Sequence, residues 1–370
     1  MRLATYNVEN MFDRAKALNQ ENWAEGRPAL EAHRALNALF NKTTYSAADK
    51  QKMLTLLESQ GLLKKDEGPF LLIRKIRGKL LKRPNSGSVT VEATGRADWL
   101  GWVELKTEHV SERATENCAR VIGAIAPDIL GVVEAEDRTT LGRFNKHVLP
   151  VVGADPFDHV MLIDGNDERG IDVGIMTRAN FPIVSIRSHV DDRDAGGSVF
   201  SRDCAESQIL LPSGKTIWVL VNHFKSKGYG SPADNDGRRK RQAERVREIV
   251  NGHLDSGENY IAVIGDLNDS PDRPPRASLV GNSSPLKDVF QFPGFNDGGR
   301  PGTHGNCTAS SKIDYLLLSP DLFSKVTAAG VERRGMWGGT NGTLWPHFPE
   351  LEKAIHAGSD HAAVWADINL

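Results

Sequence analysis

Residues 112–134, ERATENCARVIGAIAPDILGVVE, carry the reading that decides the fold. Glu112 to Ala126 places apolar residues at helical spacing, and Pro127 ends the pattern. Asp128-Ile129-Leu130-Gly131-Val132-Val133 then reads as a buried strand, which puts Glu134 at its C-terminal end. Working outward, strand-like stretches follow at His159–Ile163, Asp172–Met176, Pro182–His189, Ser207–Leu211 and Thr216–Asn222, with Pro212-Ser213-Gly214 as a turn between the last two. A glycine-bearing loop, Gly228–Gly237, leads into a helix expected from about Arg238 to Leu254, and Tyr260–Gly265, Ile313–Leu318 and His361–Ile368 close the series. Strands that alternate with helices make the fold class α/β or α+β.

The ends of these strands carry the chemistry. Thr5-Tyr6-Asn7, Val133-Glu134, Asn222-His223, Gly265-Asp266-Leu267-Asn268 and Ser359-Asp360-His361 each place an oxygen- or imidazole-bearing side chain at the end of a strand, and Lys312-Ile313-Asp314-Tyr315 adds a carboxylate after a polar loop and before the apolar run Leu316-Leu317-Leu318. Any one of them alone reads as a turn or cap residue. Asn7 and Glu134 offer hard oxygen ligands, which suit Mg²⁺ or Mn²⁺ and suit zinc or copper poorly. Glu136 competes with Glu134, but it falls two residues past the strand end, and the register of Ile129–Val133 favours Glu134.

The order of these motifs resembles the endonuclease/exonuclease/phosphatase superfamily, the fold shared by deoxyribonuclease I, exonuclease III, neutral sphingomyelinases and inositol polyphosphate phosphatases. The resemblance implies a four-layer α/β sandwich of two packed mixed sheets flanked by helices. It implies that Asn7 and Glu134 bind the catalytic metal, with Asp360 completing or sharing that site. By the same resemblance Asp266 aligns or deprotonates the attacking water, and Asn268 binds a non-bridging oxygen. His361 would contact the scissile phosphate with Asp314 as its partner, and Arg202 would reach a substrate phosphate. His223 matches the deoxyribonuclease I and sphingomyelinase-like branch, and His223-Phe224-Lys225-Ser226-Lys227 also resembles bacterial nucleases in which H-x-K-S-K leads into a basic helix. Many relatives have Gln before the metal-binding glutamate, whereas Val133 stands here.

Bulk properties are compatible with this and do not point to it. The chain has 370 residues, a net charge of -2 and three cysteines, Cys118, Cys204 and Cys307, without metal-ligand spacing. Any polyanion must therefore be met by local positive patches. No apolar run reaches membrane-spanning length, and Met1 runs straight into the first strand. The expectation is a cytoplasmic chain without a membrane partner; a mature chain whose leader had been removed would read the same, and secretion stays open. No protein partner is inferable.

Residues 15–106 do not fit the compact family pattern and read as an insertion within a single 1–370 domain. Pro28 to Leu81 is expected to be helical, from Leu36, Leu39 and Phe40, then Met53, Leu54, Leu56 and Leu57, then Phe70, Leu72 and Ile73. Ser88–Ala93 and Trp99–Leu105 look like a hairpin across Thr94-Gly95-Arg96. Two basic runs stand out: Lys64–Arg83, which includes Arg74, Lys75 and Arg77, and Arg238-Arg239-Lys240-Arg241 with Arg245 and Arg247. A basic cluster at a helix start is poorly placed for helix stability and is better explained by an external polyanion. Trp337 and Trp345, in a glycine-rich stretch, would either stack on a base or pack their loop. The expected activity is divalent-metal-dependent phosphodiester hydrolysis on nucleic acid, DNA before RNA. The alternatives are a lipid or inositol phosphate hydrolase and an inactive nucleic-acid-binding scaffold.

Overall fold

The Arg2–Asn7 strand is buried from Leu3 onward because it sits in the middle of a sheet. It runs parallel to Ile129–Ala135, with Leu3 opposite Ile129 and Asn7 opposite Val133, and antiparallel to Ala363–Ile368. That sheet has seven strands, ending at Phe295–Asn296 on one side and His159–Ile163 on the other. A second, six-stranded sheet is built the same way around the parallel pair Thr216–His223 and Ile261–Asp266, with Asp314–Leu318 antiparallel to the latter. Each parallel pair needs a long crossover. The second pair takes it through the Pro232–Asp255 helix, and the Glu112–Ile125 helix leads directly into Ile129–Ala135.

The inner faces meet in one apolar cluster: Leu3, Ile129, Val133, Val173 and Val364 from the first sheet pack with Ile209, Val219, Val221, Ile264 and Leu316 from the second. Gly131 marks how closely they approach, since a Cβ there would stand 2.5 Å from Ile264 Cδ1. The outer face of the first sheet packs on the Glu112–Ile125 and Arg138–His147 helices, and that of the second on Pro232–Asp255. Strands covered on both faces read as unbroken apolar runs, and the result is the four-layer α/β sandwich expected.

The model, a computed structural model, describes residues 1–17, 23–167, 169–227, 231–271, 273–281 and 284–370. This sandwich is one compact unit, from Met1–Phe12, Val110–Lys227 and Ser231–Leu370; Asp13–His109 belongs to a second. Two expectations shift within the sandwich. Residues 228–230 of the glycine-bearing loop lie outside the described residues, and residues 232–237 are already helical. Ser231 caps that helix by accepting from the Asp234 N–H, and Pro232 fills its first turn. Arg238 therefore stands in the second turn, and the argument from a basic helix start fails.

The second unit has its own core, with Leu36, Phe40, Met53, Leu57, Trp99 and Val103 buried together. Two helices, Trp23–Phe40 and Ala47–Ser59, supply part of it, the latter started by a capping box between Ser46 and Asp49. Helix stops there. Gly68-Pro69 intervenes, and Leu71–Gly78 is a strand antiparallel to Trp99–Leu105. This corrects the helical reading of Leu72 and Ile73. The expected hairpin across Thr94-Gly95-Arg96 is also absent: Thr90–Val91 pairs with Leu81–Lys82 instead. Gly95 packs against the Thr43 carbonyl, and the Tyr45 N–H donates to the Thr94 carbonyl, so this loop docks on the helix connection. Among the described residues no helix is long and apolar enough to cross a membrane.

Candidate active site

The two parallel pairs bring their C-terminal ends to one place. Asn7 ends one strand, and His223 lies directly opposite Asp266, which in turn lies opposite Asp314. Glu134 gets there by an irregularity. Its neighbours pair in register, Val133 with Val173 and Ala135 with Asp172, and Glu134 is the extra residue between them, with φ of 67°. A bulge of this kind re-aims a side chain at the end of a strand. Glu9 and Asn268 share the left-handed conformation, so three of the six non-glycine residues with positive φ among the described residues belong to this site. Such strain persists only where the surroundings over-determine it. At Gly265, with φ of 125°, a Cβ would lie 2.0 Å from the Asn222 carbonyl oxygen, which explains the glycine of Gly-Asp-x-Asn.

Hydrogen bonds fix the cluster. His361 Nδ1 is 2.9 Å from Asp314 Oδ2, leaving Nε2 to face Asn7 Nδ2 at 3.5 Å and Asp266 Oδ2 at 4.0 Å. Ser359 Oγ donates to the Asn7 carbonyl and accepts from the His361 N–H, tying Ser-Asp-His to the first strand. Asn7 Nδ2 donates to Asp266 Oδ2 at 3.3 Å, and the Asn268 N–H to Asp266 Oδ1 at 2.7 Å. The Asn268 amide also reaches Asp266 Oδ2 and the Phe224 carbonyl. His223 Nε2 lies 3.6 Å from Glu134 and 3.8 Å from Asp266. The Glu9 carboxylate accepts from the Asp360 N–H.

Burial sets the electrostatics. It pushes Asp266 up to about 7, helped by the neighbouring Asp314 charge and opposed by His361. It pushes Glu134 up as well. The His223 ring, desolvated and facing Arg169, falls to about 3 and is neutral at ordinary pH. Burial also works against a charged His361, but Asp314 and Asp360 outweigh it and raise that ring well above the usual imidazole range. The donor set of Asn7, Glu134 and Asp360 is of hard oxygens, and the desolvated Glu134 carboxylate is a group that a divalent cation would stabilise, so the residues fit one. His304 adds an imidazole, its Nε2 3.0 Å from Asp360 Oδ2, and His304, Asp360 and His361 hold their ligand atoms within 4.8 Å of one another, as do Asp266, Asp314 and His361.

Other expected residues lie elsewhere. Arg202 is 1% exposed, pairs with Asp167 at 2.8 Å and donates to the Phe224 carbonyl, so it cannot reach an external phosphate. Asp167 in turn holds Arg169 through two contacts at 2.9 Å, and Arg169 is the cation whose charge acts on Glu134 and His223. Arg202 thus supports the site at one remove, and Arg169 is the arginine that sequence reasoning missed. Its only signal was Asp167 two residues before it, in the loop that leads to Asp172–Thr177.

Arg239, 2% exposed, is paired with Asp236 and lies 3.6 Å from Asp269; it is not a nucleic-acid contact. Arg238 donates to the Ser198 and Val199 carbonyls, and Arg241 pairs with Asp194 at 2.9 Å. Arg74, Lys75 and Arg77 lie on the Leu71–Gly78 strand, Arg74 paired with Glu104 at 2.8 Å. Glu136 accepts from the Phe12 N–H. Trp345 is buried with Cys307 and Met336 and so packs its loop, and Trp337 stacks on His347.

A family model described as the Endonuclease/Exonuclease/phosphatase family matches residues 111–361. No curated protein matches the chain. Solved structures show the same fold. A mannosyl-6-phosphatase from Bacteroides thetaiotaomicron VPI-5482 superposes with a TM-score of 0.51 at 18% identity, covering 70% of this chain and 91% of its own. An endonuclease/exonuclease/phosphatase family protein from the same organism gives 0.50 at 18% identity, covering 69% of this chain and 88% of its own. One from Bacteroides vulgatus gives 0.50 at 16%, covering 70% and 91%. With most of its length matched, the chain belongs to the endonuclease/exonuclease/phosphatase family, a fold of phosphoester hydrolases that generally use divalent metals.

Proposed function

We propose that the chain is a Mg²⁺- or Mn²⁺-dependent phosphodiesterase acting on nucleic acid, DNA in the first instance. The observation that carries the chemistry is the His361–Asp314 pair, whose second ring nitrogen, Nε2, faces Asn7, Asp360 and Asp266. Asn7, Glu134 and Asp360 would hold the ion, which supplies Lewis-acid stabilisation of phosphoryl oxygens when bound. Asp266, poised near neutrality by burial, takes the proton from the attacking water. Charged His361, oriented by Asp314, stabilises negative charge on the phosphoryl group. Asn268 would present its amide to a non-bridging oxygen in exchange for its bonds to Asp266 and the Phe224 carbonyl, His223 faces Asp266 and Glu134, and Arg169, held by Asp167, adds positive charge that acts on Glu134 and His223. The nucleic-acid assignment is supported by the H-x-K-S-K run and by the cations of the Leu71–Gly78 strand.

A phosphomonoesterase reading is favoured by one observation: Arg202, Arg238, Arg239 and Arg241 are all engaged internally, which removes cations that would grip flanking phosphates. The test is hydrolysis of DNA, RNA, bis-p-nitrophenyl phosphate and p-nitrophenyl phosphate in Mg²⁺, Mn²⁺ or EDTA. Diester cleavage should need the metal and disappear in Glu134→Ala. Asp266→Asn and His361→Ala should each lower kcat at least about a hundredfold. Full activity in EDTA would sink the metal requirement, and preference for the monoester would replace the nuclease reading with the second one.

A further inference from the structure

The Asp13–His109 unit carries an exposed face that its own core does not explain. The ribbon of Leu71–Gly78 and Trp99–Leu105 buries Trp99, Val103 and Leu105 on one side. Gly101 belongs to that side, where a Cβ would meet the Trp99 ring at 2.4 Å. The intervening residues Leu100, Trp102 and Glu104 therefore point the other way, opposite Arg77, Arg74 and Leu72. Trp102 is 42% exposed and Ile76, the extra residue at the ribbon's bulge, 65% exposed. They are two of the five large hydrophobic residues exposed among the described residues, and they share one ribbon.

Cations surround them. Arg74 is shared with Glu104, but Arg77, on the Trp102 face, and Lys75, on the opposite face across from Gly101, have no ion pair among the described residues. At the end of the ribbon Lys75 also lines a groove of about 520 Å³, with Lys79 and Lys82 over Ile73, Leu81 and Trp99. The outer edge of the strand is covered only at its start, where the Ile73 N–H donates to the Asp66 carbonyl; among the described residues no backbone bond covers it from Arg74 to Gly78. An unpaired basic edge beside an exposed indole matches a ligand with both a regularly charged backbone and flat apolar faces.

We propose that this ribbon binds single-stranded nucleic acid along its open edge, with Trp102 stacking on a base, Arg77 meeting a phosphate on the same face and Lys75 meeting one across the edge. The inference deepens the nuclease reading and rests on it for the class of polymer. Single strands expose base faces to an indole, and duplexes keep theirs stacked inside. An anionic membrane would also attract the cations, but two isolated apolar side chains among charges offer it little to bury.

The test measures binding of the full chain, in EDTA so that nothing turns over, to fluorescein-labelled oligo-dT, a duplex of equal length and phosphatidylglycerol vesicles. Oligo-dT should bind best. Trp102→Ala should weaken it about tenfold, the scale of one base stack, and Trp102→Phe should restore most of the loss. Replacing Lys75 and Arg77 with Ala should flatten the slope of log affinity against log salt by about 1.4, at roughly 0.7 per single-strand phosphate contact. Unchanged binding by Trp102→Ala, preference for duplex, or binding to vesicles without binding to oligo-dT would each overturn the proposal. Hydrolysis of bis-p-nitrophenyl phosphate by the wild-type chain in Mg²⁺ is read separately. If that succeeds while oligo-dT does not bind, the ribbon reading fails alone; if it fails while Trp102-dependent binding holds, the catalytic reading fails alone.

Discussion

Two basic runs that look alike in the sequence end differently in the fold. Along Pro232–Asp255 the arginines meet carboxylates: Arg239 meets Asp236 in its own helix and Asp269 from a distant loop, and Arg241 and Arg245 meet the distant Asp194 and Asp192, the latter at 2.7 Å. Along Leu71–Gly78, among the described residues, only Arg74 finds an acid, on the neighbouring strand, and Lys75 and Arg77 stay exposed. The first run fastens a helix and the second leaves its charge on the surface. Counting Lys and Arg could not separate them, because Asp192, Asp194 and Asp269 lie about 25 to 55 residues away in sequence and arrive only with the tertiary fold.

The comparison breaks most visibly at Arg239. Its guanidinium fills an interior site beside Asp269, which is wholly buried, and donates to the Lys225 carbonyl just after His223. Arg239→Ala leaves that carboxylate with only Lys227 at 3.4 Å and Arg273 at 3.6 Å. Removing one partner of a buried pair costs about 3–5 kcal/mol, so urea unfolding should show a loss of that size. A loss below about 1 kcal/mol would return Arg239 to the list of surface cations.

The network behind Arg245 offers the next effect. Asp192 bonds both Arg245 and His189, and His189 and His253 both bond Glu206, which is 2% exposed. Burial alone would raise Glu206, but the two histidine hydrogen bonds overcome it and hold the carboxyl at about 2. His189 is raised, since Glu206 and Asp192 outweigh its own burial. A depressed carboxyl contributes stability that is present above its unfolded pKa, about 4.5, and lost as pH falls through the folded value near 2. The histidine term has the opposite sense: it is complete below the unfolded imidazole value, near 6.5, and fades as pH rises through the raised one. Glu206→Gln should therefore be less stable than wild type at pH 5 to 6 by on the order of 3 kcal/mol. The gap should close between pH 4.5 and 2. A gap that stayed constant with pH would mean that shape, and not charge, makes the contact.

What the sequence made legible follows the same division between local and distant. The strand ends were readable because buried strands are continuous apolar runs and Asn7, Glu134, His223, Asp266, Asp314 and Asp360-His361 each interrupt one. The choice of Glu134 over Glu136 came from register; Glu136 accepts from the Phe12 N–H. The Asp167–Arg169 pair was invisible because nothing in its local pattern distinguishes it from a turn. The ribbon of the second unit was missed for a related reason: Leu71–Gly78 pairs across some twenty residues with Trp99–Leu105, while Thr94-Gly95-Arg96 carries the local signature of a hairpin and serves as a loop. Short apolar runs such as Leu71-Leu72-Ile73 do not tell helix from strand by periodicity alone; Gly68-Pro69 before them was the better clue.

The smallest effect sharpens the comparison most. If Lys75 and Arg77 are solvated, each Ala replacement should change unfolding free energy by no more than about 0.5 kcal/mol, the range of surface substitutions without a structural partner. That places them roughly an order of magnitude below Arg239 on the same scale, although all three are cations in basic runs. The two classes should also respond oppositely to salt. Screening lengths near 8 Å at 0.15 M ionic strength weaken exposed charges and leave buried pairs nearly untouched. Raising sodium chloride should therefore leave the Arg239→Ala deficit in place, while any stability difference in Lys75→Ala or Arg77→Ala vanishes. If an Arg77→Ala loss exceeded 1 kcal/mol and survived high salt, that guanidinium would be a structural tie, and the exposed ribbon would lose its strongest cation.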